Sequence, residues 1–163
     1  MRYAFIVPVL MPLWIGNPAS SQVRITSTWE CPNPDESHLV RAPDRPDHSF
    51  AVFRFRCTPL RPDRIAGLVA KSDEGSGSAE FLGDKQTFRN IEAVTMDNGD
   101  KLFYDTTGTN TYEKGVFVSG AGISTITGGT GKLKGIKGKV ISKGKPGANG
   151  TIWDAETEYS LPK

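Results

Sequence analysis

From Val23 onward the chain alternates apolar and polar positions with a period of two, in short runs, and no window holds a 3.6-residue apolar period long enough for a helix. Runs rich in Val, Ile, Phe, Thr and Tyr predict strands over Val23–Trp29, Ser49–Thr58, Ile65–Lys71, Ser78–Leu82, Ile91–Met96, Lys101–Thr107, Val116–Ile126, Leu133–Ser142 and Thr151–Tyr159. Turn clusters separate them: Asp73-Glu-Gly-Ser-Gly77, Asn98-Gly99, Glu113-Lys-Gly115 and Gly144-Lys-Pro-Gly-Ala-Asn-Gly150. So many strands in one small domain require two stacked sheets or a closed barrel. The segment from Cys31 to Pro46, dense in proline and charge, is expected to be a loop, either covering one mouth of a barrel or merely connecting strands.

Alternation also assigns faces. Phe53 and Phe55 share a face with Cys57, while Arg54 and Arg56 point the other way. A last hairpin turning at Pro146 to Asn149 would set Lys139 opposite Glu156 and Lys137 opposite Glu158 on the outside. Its inner face would pair Ile136 with Tyr159, Gly138 with Thr157, Val140 with Ala155 and Ser142 with Trp153. The lysine run from Lys132 to Lys145 is then a sheet face partly neutralised by its neighbour. With a net charge of only +2, the chain is expected to have no nucleic-acid partner.

The 163 residues are read as a signal peptide over 1–21 and a single β-barrel domain over 22–163. Met1-Arg2 gives a short positive start, Tyr3 to Ile15 is almost wholly apolar, and Ala19 and Ser21 occupy the small positions of a cleavage site. The apolar stretch is short for a bilayer and carries Pro8 and Pro12, so no stable membrane anchor is expected. Export implies an oxidising setting, secreted or periplasmic, in which the two cysteines, Cys31 and Cys57, form a disulfide. The rival, a metal site with His38 and His48, has no common zinc spacing; no metal and no cofactor are expected.

Neither histidine has a nucleophilic serine or cysteine context, which excludes a triad. Asp154, Glu156 and Glu158 share a face, but it is the lysine-paired one, so paired-carboxylate glycoside chemistry has no place there. Glu92 is a weak catalytic candidate. Sharing parity with Val94 and Met96 it would sit in an apolar interior with a raised pKa; the opposite parity, through Ile91 and Ala93, leaves it in water, and the sequence leaves both open. Tyr104 and Tyr112 are either ligand-facing hydroxyls or barrel wall, and Asn149-Gly-Thr151 is read as a turn before a glycosylation sequon.

Ile126-Thr-Gly-Gly-Thr-Gly-Lys-Leu-Lys-Gly-Ile-Lys-Gly-Lys-Val140 looks like a phosphate loop but lacks the first glycine and the Ser or Thr after Gly131-Lys132. The run, with Thr111-Tyr112 and Gly120 before it, resembles the glycine signature of allene oxide cyclases and dirigent proteins, and the chain is identified as resembling a secreted member of bacterial type. The resemblance covers about the C-terminal third and implies an all-β, calycin-like antiparallel closed barrel of about eight strands, with an apolar cavity open at one end. Cyclases of that family fold a fatty-acid epoxide inside the barrel with help from a glutamate and a bound water; dirigent proteins steer coupling of phenolic radicals. The N-terminal half of this chain does not carry the cyclase motifs, so no catalytic role transfers to a residue here.

The expected function is therefore binding of a small apolar or amphipathic ligand in the barrel, lined on strand parity by Phe53, Phe55, Val94, Met96, Tyr104 and Trp153. Two other classes stand beside it: an isomerase or cyclase on a lipid-like substrate, with a polar group such as Glu92 fixed deep inside, and a structural barrel filled by its own side chains. Because members of this fold often form trimers, the resemblance also allows a homo-oligomer.

Overall fold

The computed structural model describes residues 22–162 of the chain, so the leader reading of residues 1–21 lies outside the described residues. The alternating runs become ten strands: β1 (Val23–Pro32), β2 (Glu36–Arg41), β3 (His48–Arg61), β4 (Arg64–Ile65), β5 (Leu68–Leu82), β6 (Lys85–Met96), β7 (Lys101–Glu113), β8 (Val116–Gly129), β9 (Lys137–Gly147) and β10 (Gly150–Ser160). All pairings are antiparallel. The sheet runs β2-β3-β1-β10-β9-β8-β7-β6-β5-β4, and a β3–β5 pairing closes it. The closed wall is the eight strands β1, β3 and β5 to β10, and it is all-β as the alternation requires. Closure leaves only the short end strands β2 and β4 with an unpaired side.

Four sequence expectations change. Asp73 to Gly77 is not a turn but the middle of β5, paired on one side with β3 and on the other with β6. Its glycines answer to packing: a Cβ on Gly75 would run into the Phe55 ring. Part of the expected Cys31–Pro46 loop forms strand β2, laid along β3 from Glu36↔Arg54 to Arg41↔Ser49. The strand expected from Leu133 begins only at Lys137, because a 3-10 turn over Gly131–Leu133 comes first.

The last hairpin keeps its faces and loses its register. The pairing is Gly150↔Gly147, so Lys139 faces Glu158 and Trp153 faces Gly144, each two residues from the expected partner. A shift of two preserves the period-2 pattern, which is why parity could not detect it. On the outer face the acidic residues are also held by β1, with Arg24 at 3.2 Å from Glu158 and 3.9 Å from Glu156, while Lys145 reaches Asp154 at 2.6 Å.

One end of the barrel is sealed. Ile65, Leu102 and Leu133 are fully buried, with Met96 and Ile136 beside them. The glycine signature builds this closure. Thr130 Oγ1 accepts the Lys101 N–H at 2.8 Å, and the Asp100 carboxylate accepts the Lys132 N–H at 3.0 Å, pinning the 3-10 turn to the start of β7. At Gly131, φ is +51° and a Cβ would collide with the Asp100 carboxylate, so glycine is required on both counts.

Candidate functional site

The barrel lumen holds a cavity of about 500 Å³. It exists because several inward positions carry no side chain: Gly75 and Gly77 on β5, Gly108 on β7, Gly120 and Gly122 on β8, and Gly144 on β9. Large rings lie over these glycines instead of crossing the lumen. The Trp153 indole covers Gly144, and the Phe55 and Phe88 rings cover Gly75 and Gly108. Aromatic cover over cross-strand glycines stabilises the wall while leaving the centre open.

Toward one end, the rings of Phe81, Tyr112, Phe117, Trp153 and Phe88 follow one another at centroid distances of 5.9–6.5 Å, within the range of favourable aromatic pairs. There the cavity reaches the surface, beside the exposed Asn33, Pro34 and Gly115. Gln86 Oε1 accepts hydrogen bonds from Asn110 Nδ2 at 2.6 Å and from the Tyr112 hydroxyl at 3.1 Å, fixing a polar rim inside the aromatic ring.

Deeper in, the wall becomes acidic. Asp73 on β5 and Glu92 on β6 are diagonal neighbours on the inner face, since Asp73 pairs with Val94 and Glu92 with Gly75. Asp63, on the connection before β4, and Tyr104 on β7 are both 5 % exposed and complete the group. Burial pushes Asp63 up to about 6, with Ser27 and Arg61 working against it. Burial, reinforced by the charge of Glu92, holds the Asp73 carboxyl well above the usual carboxylate range. Glu92 is raised by burial, and hydrogen bonds from Thr106 and Asn90 oppose this; the Asn90 contact is 3.3 Å. The Tyr104 phenol is raised by burial and by all three carboxyls. Among the described residues, no lysine, arginine or histidine lines the cavity. Its lower half is therefore a set of acids with no built-in countercharge, each holding its proton more tightly than an exposed carboxyl does.

The structure resolves the ambiguity of Glu92: it points inward with Gln86, Asn90 and Val94, while Ile91 is 69 % exposed. Phe53, Phe55, Val94, Tyr104 and Trp153 stand on the cavity wall. Met96 does not; it shares their inward parity but lies beneath the cavity, at 2 % exposure in the sealed end. Cys31 and Cys57 form the expected disulfide, and both line the cavity beside Trp29. His48, in contrast, stands outside, between Asp44 at 2.8 Å and Glu80 at 3.0 Å.

Sequence reading missed Asp63, Asp73, Asn90 and Asn110. Asp73 was hidden inside an apparent turn, and Asp63 follows Pro62 in a connection without periodicity. Asn90 was within reach, because it carries the parity of Glu92 and Val94.

No family model matches this chain, and no curated protein sequence matches it. Among solved structures, the pterocarpan synthase dirigent protein GePTS1 is similar over 98 % of this chain and 100 % of its own, with a TM-score of 0.50 and 12 % sequence identity. At that identity the likeness concerns the fold: the barrel is of the dirigent type.

Proposed function

We propose that this protein binds a small amphipathic molecule inside its barrel and does so in an oxidising, extracytoplasmic setting. The observation that carries this reading is the 500 Å³ cavity, aromatic at its open end and acidic at its floor, kept open by inward glycines. Its volume lies in the range of small-molecule sites, and a barrel filled by its own side chains would not place bare glycines beneath rings that lie along the wall. The apolar leader and the Cys31–Cys57 disulfide support the setting. The outer wall carries the directly paired Ile123 and Ile141, 61 % and 50 % exposed, which supports association of copies; sedimentation velocity across a concentration series tests it.

A second reading, an isomerase or cyclase that uses the barrel as a mould, draws support from Glu92 and Asp73. Deep acids with raised proton affinity could protonate a bound substrate that the aromatic walls hold in one shape.

Titration with the uncharged fluorophore N-phenyl-1-naphthylamine tests the first reading. Saturable enhancement near one equivalent is expected, and it should be lost in Ala155→Trp, which fills the lumen from β10, provided circular dichroism shows that variant folded. Absence of saturable binding to the wild-type protein would overturn the reading in favour of a closed core. Turnover of a bound lipid-like substrate, lost in Glu92→Gln, would support the enzyme reading.

A further inference from the structure

Four buried side-chain atoms among the described residues have no hydrogen-bond partner: Asp63 Oδ1, Asp73 Oδ1, Asn90 Oδ1 and Asn110 Oδ1. All four belong to residues of the cavity wall and all four are acceptors; Asn90 Oδ1 and Asn110 Oδ1 are laid against Gly77 and Gly120, which leaves the carboxyls of Asp63 and Asp73 as the groups still to be matched. Asn90 is 8 % exposed and Asp63 5 %, so solvent at the molecular surface does not serve them. Unmatched buried acceptors are costly, and acceptors alone call for a partner that brings donors. The wall adds a second requirement. Among the described residues, Asp63, Asp73 and Glu92 converge without a cationic side chain lining the same space, so a positively charged guest would find uncompensated acids there.

We propose that the guest is an organic cation: a primary or secondary ammonium on an aromatic or aliphatic body. This rests on the reading of the barrel as a ligand site. The ammonium lies against Asp73 and Glu92, and the body lies above it between Phe53, Phe88 and Trp153. An ammonium supplies both charge and several donors in one small group. The aromatic faces above the floor also favour a cation over a neutral guest. The same acids, once ionised, repel a carboxylate or phosphate guest.

The groups facing the ammonium are Asp63 from the β3–β4 connection, Asp73 from β5, Glu92 from β6 and Tyr104 from β7. The inward residues of β8, β9, β10, β1 and β3 at this depth are Ile126, Ser124, Val140, Thr157, Trp29, Phe55 and the disulfide, none of them charged. Arg61 and Glu74 act from outside the lumen.

The test is isothermal titration of the protein with 2-phenylethylamine and its isostere 2-phenylethanol at pH 7. The amine is expected to bind at least tenfold tighter, and Asp73→Asn and Glu92→Gln should each cut that ratio severalfold. If either variant fails to fold, the wild-type ratio measured at pH 7 and pH 4.5 replaces it. The ratio should shrink at low pH, where the acids hold their protons while the amine stays charged. Equal affinities at pH 7, or a tighter alcohol, would overturn the proposal while leaving a neutral ligand site intact. If N-phenyl-1-naphthylamine also fails to bind, the site itself falls.

Discussion

Trp153 lies directly opposite Gly144 in the β9–β10 ladder, and Cζ2 and Cη2 of its indole are each 3.0 Å from where a Cβ on that glycine would stand. The glycine has no partner of its own size; it has the benzo ring of an indole, which also reaches over Gly120, where Cη2 is 2.5 Å from the Cβ position. These two glycines let a tryptophan of the wall lie along the sheet and not across the lumen. Its N–H is spent locally on Thr151 Oγ1 at 3.0 Å, which holds the ring in place. The cavity is thus a property of cross-strand pairs, and it can be closed one pair at a time.

Gly144→Val is expected to push the indole off the wall into the cavity. Overpacking of this kind costs about 1–3 kcal/mol. Urea unfolding should show the loss, and binding of N-phenyl-1-naphthylamine should weaken together with a change in tryptophan emission. An unchanged urea midpoint and an unchanged emission maximum would show that Gly144 is not what sets the ring.

The buried acids make stability depend on pH in an unusual direction. Asp63 titrates at about 6 in the native protein against 3.8 as its ordinary value. Between those limits the native state keeps a proton that the unfolded chain has released, so stability falls as pH rises from about 4 to about 6 and then levels off. The span corresponds to roughly 3 kcal/mol for this one group. Asp73 and Glu92, also raised, act in the same sense, as does His48, whose raised pKa means that its contribution is lost as pH climbs through the native value. The exposed carboxylates with lowered values, such as Asp105 and Asp154, act only below this window. Urea midpoints should therefore be higher at pH 4.5 than at pH 7, and Asp63→Asn should flatten the difference. A wild-type midpoint that rises between pH 4.5 and pH 7 would contradict the burial of these acids.

How much of this was legible beforehand follows from what period-2 alternation can carry. It assigns faces, so Phe53, Phe55, Val94, Tyr104 and Trp153 were placed on the inside correctly, and the charged outer face of the last hairpin kept its composition. It does not carry depth. Met96 and Val94 have the same parity, yet one lies in the sealed end and the other on the cavity wall. It is also blind to shifts of two, which is how Lys139 came to face Glu158. Local composition failed where tertiary pairing overrode it: Asp73-Glu-Gly-Ser-Gly77 reads as a turn to anyone who cannot see β3 and β6 on either side. The acidic floor was illegible for the same reason, since Asp63, Asp73 and Glu92 are brought together only by closure of the barrel.

The disulfide lies where β1 leaves β3, tying Cys31 to Cys57 across 26 residues of sequence. In the chain-entropy account a loop of that length contributes about 3.5 kcal/mol through the unfolded state. Its removal also opens the cavity wall, because both cysteines line it. Replacing both cysteines by alanine is expected to lower the urea midpoint and to reduce ligand affinity, and dithiothreitol on the wild-type protein should reproduce the shift. A reductant-insensitive midpoint would mean that strand pairing alone holds β1 to β3.

Gly131 and Asp100 test whether the glycine signature is architectural. The carboxylate of Asp100 occupies the space a Cβ on Gly131 would need, and it binds the next residue's N–H. Gly131→Ala therefore meets two penalties, a left-handed backbone at +51° and a collision with a group that cannot move without releasing Lys132. A loss of about 1–3 kcal/mol is expected, in the range of strained backbone positions. Asp100→Ala should cost less, since it removes the acceptor but leaves the backbone unstrained, and the double variant should be less destabilised than the sum of the two. That non-additivity, read from urea denaturation of the three proteins, is the signature of one shared contact. Because the turn seals the end farthest from the opening, affinity for N-phenyl-1-naphthylamine should stay within about twofold of wild type while stability falls. Strict additivity would separate the two residues, and a collapse of binding at unchanged stability would move the signature from the framework of the barrel to its site.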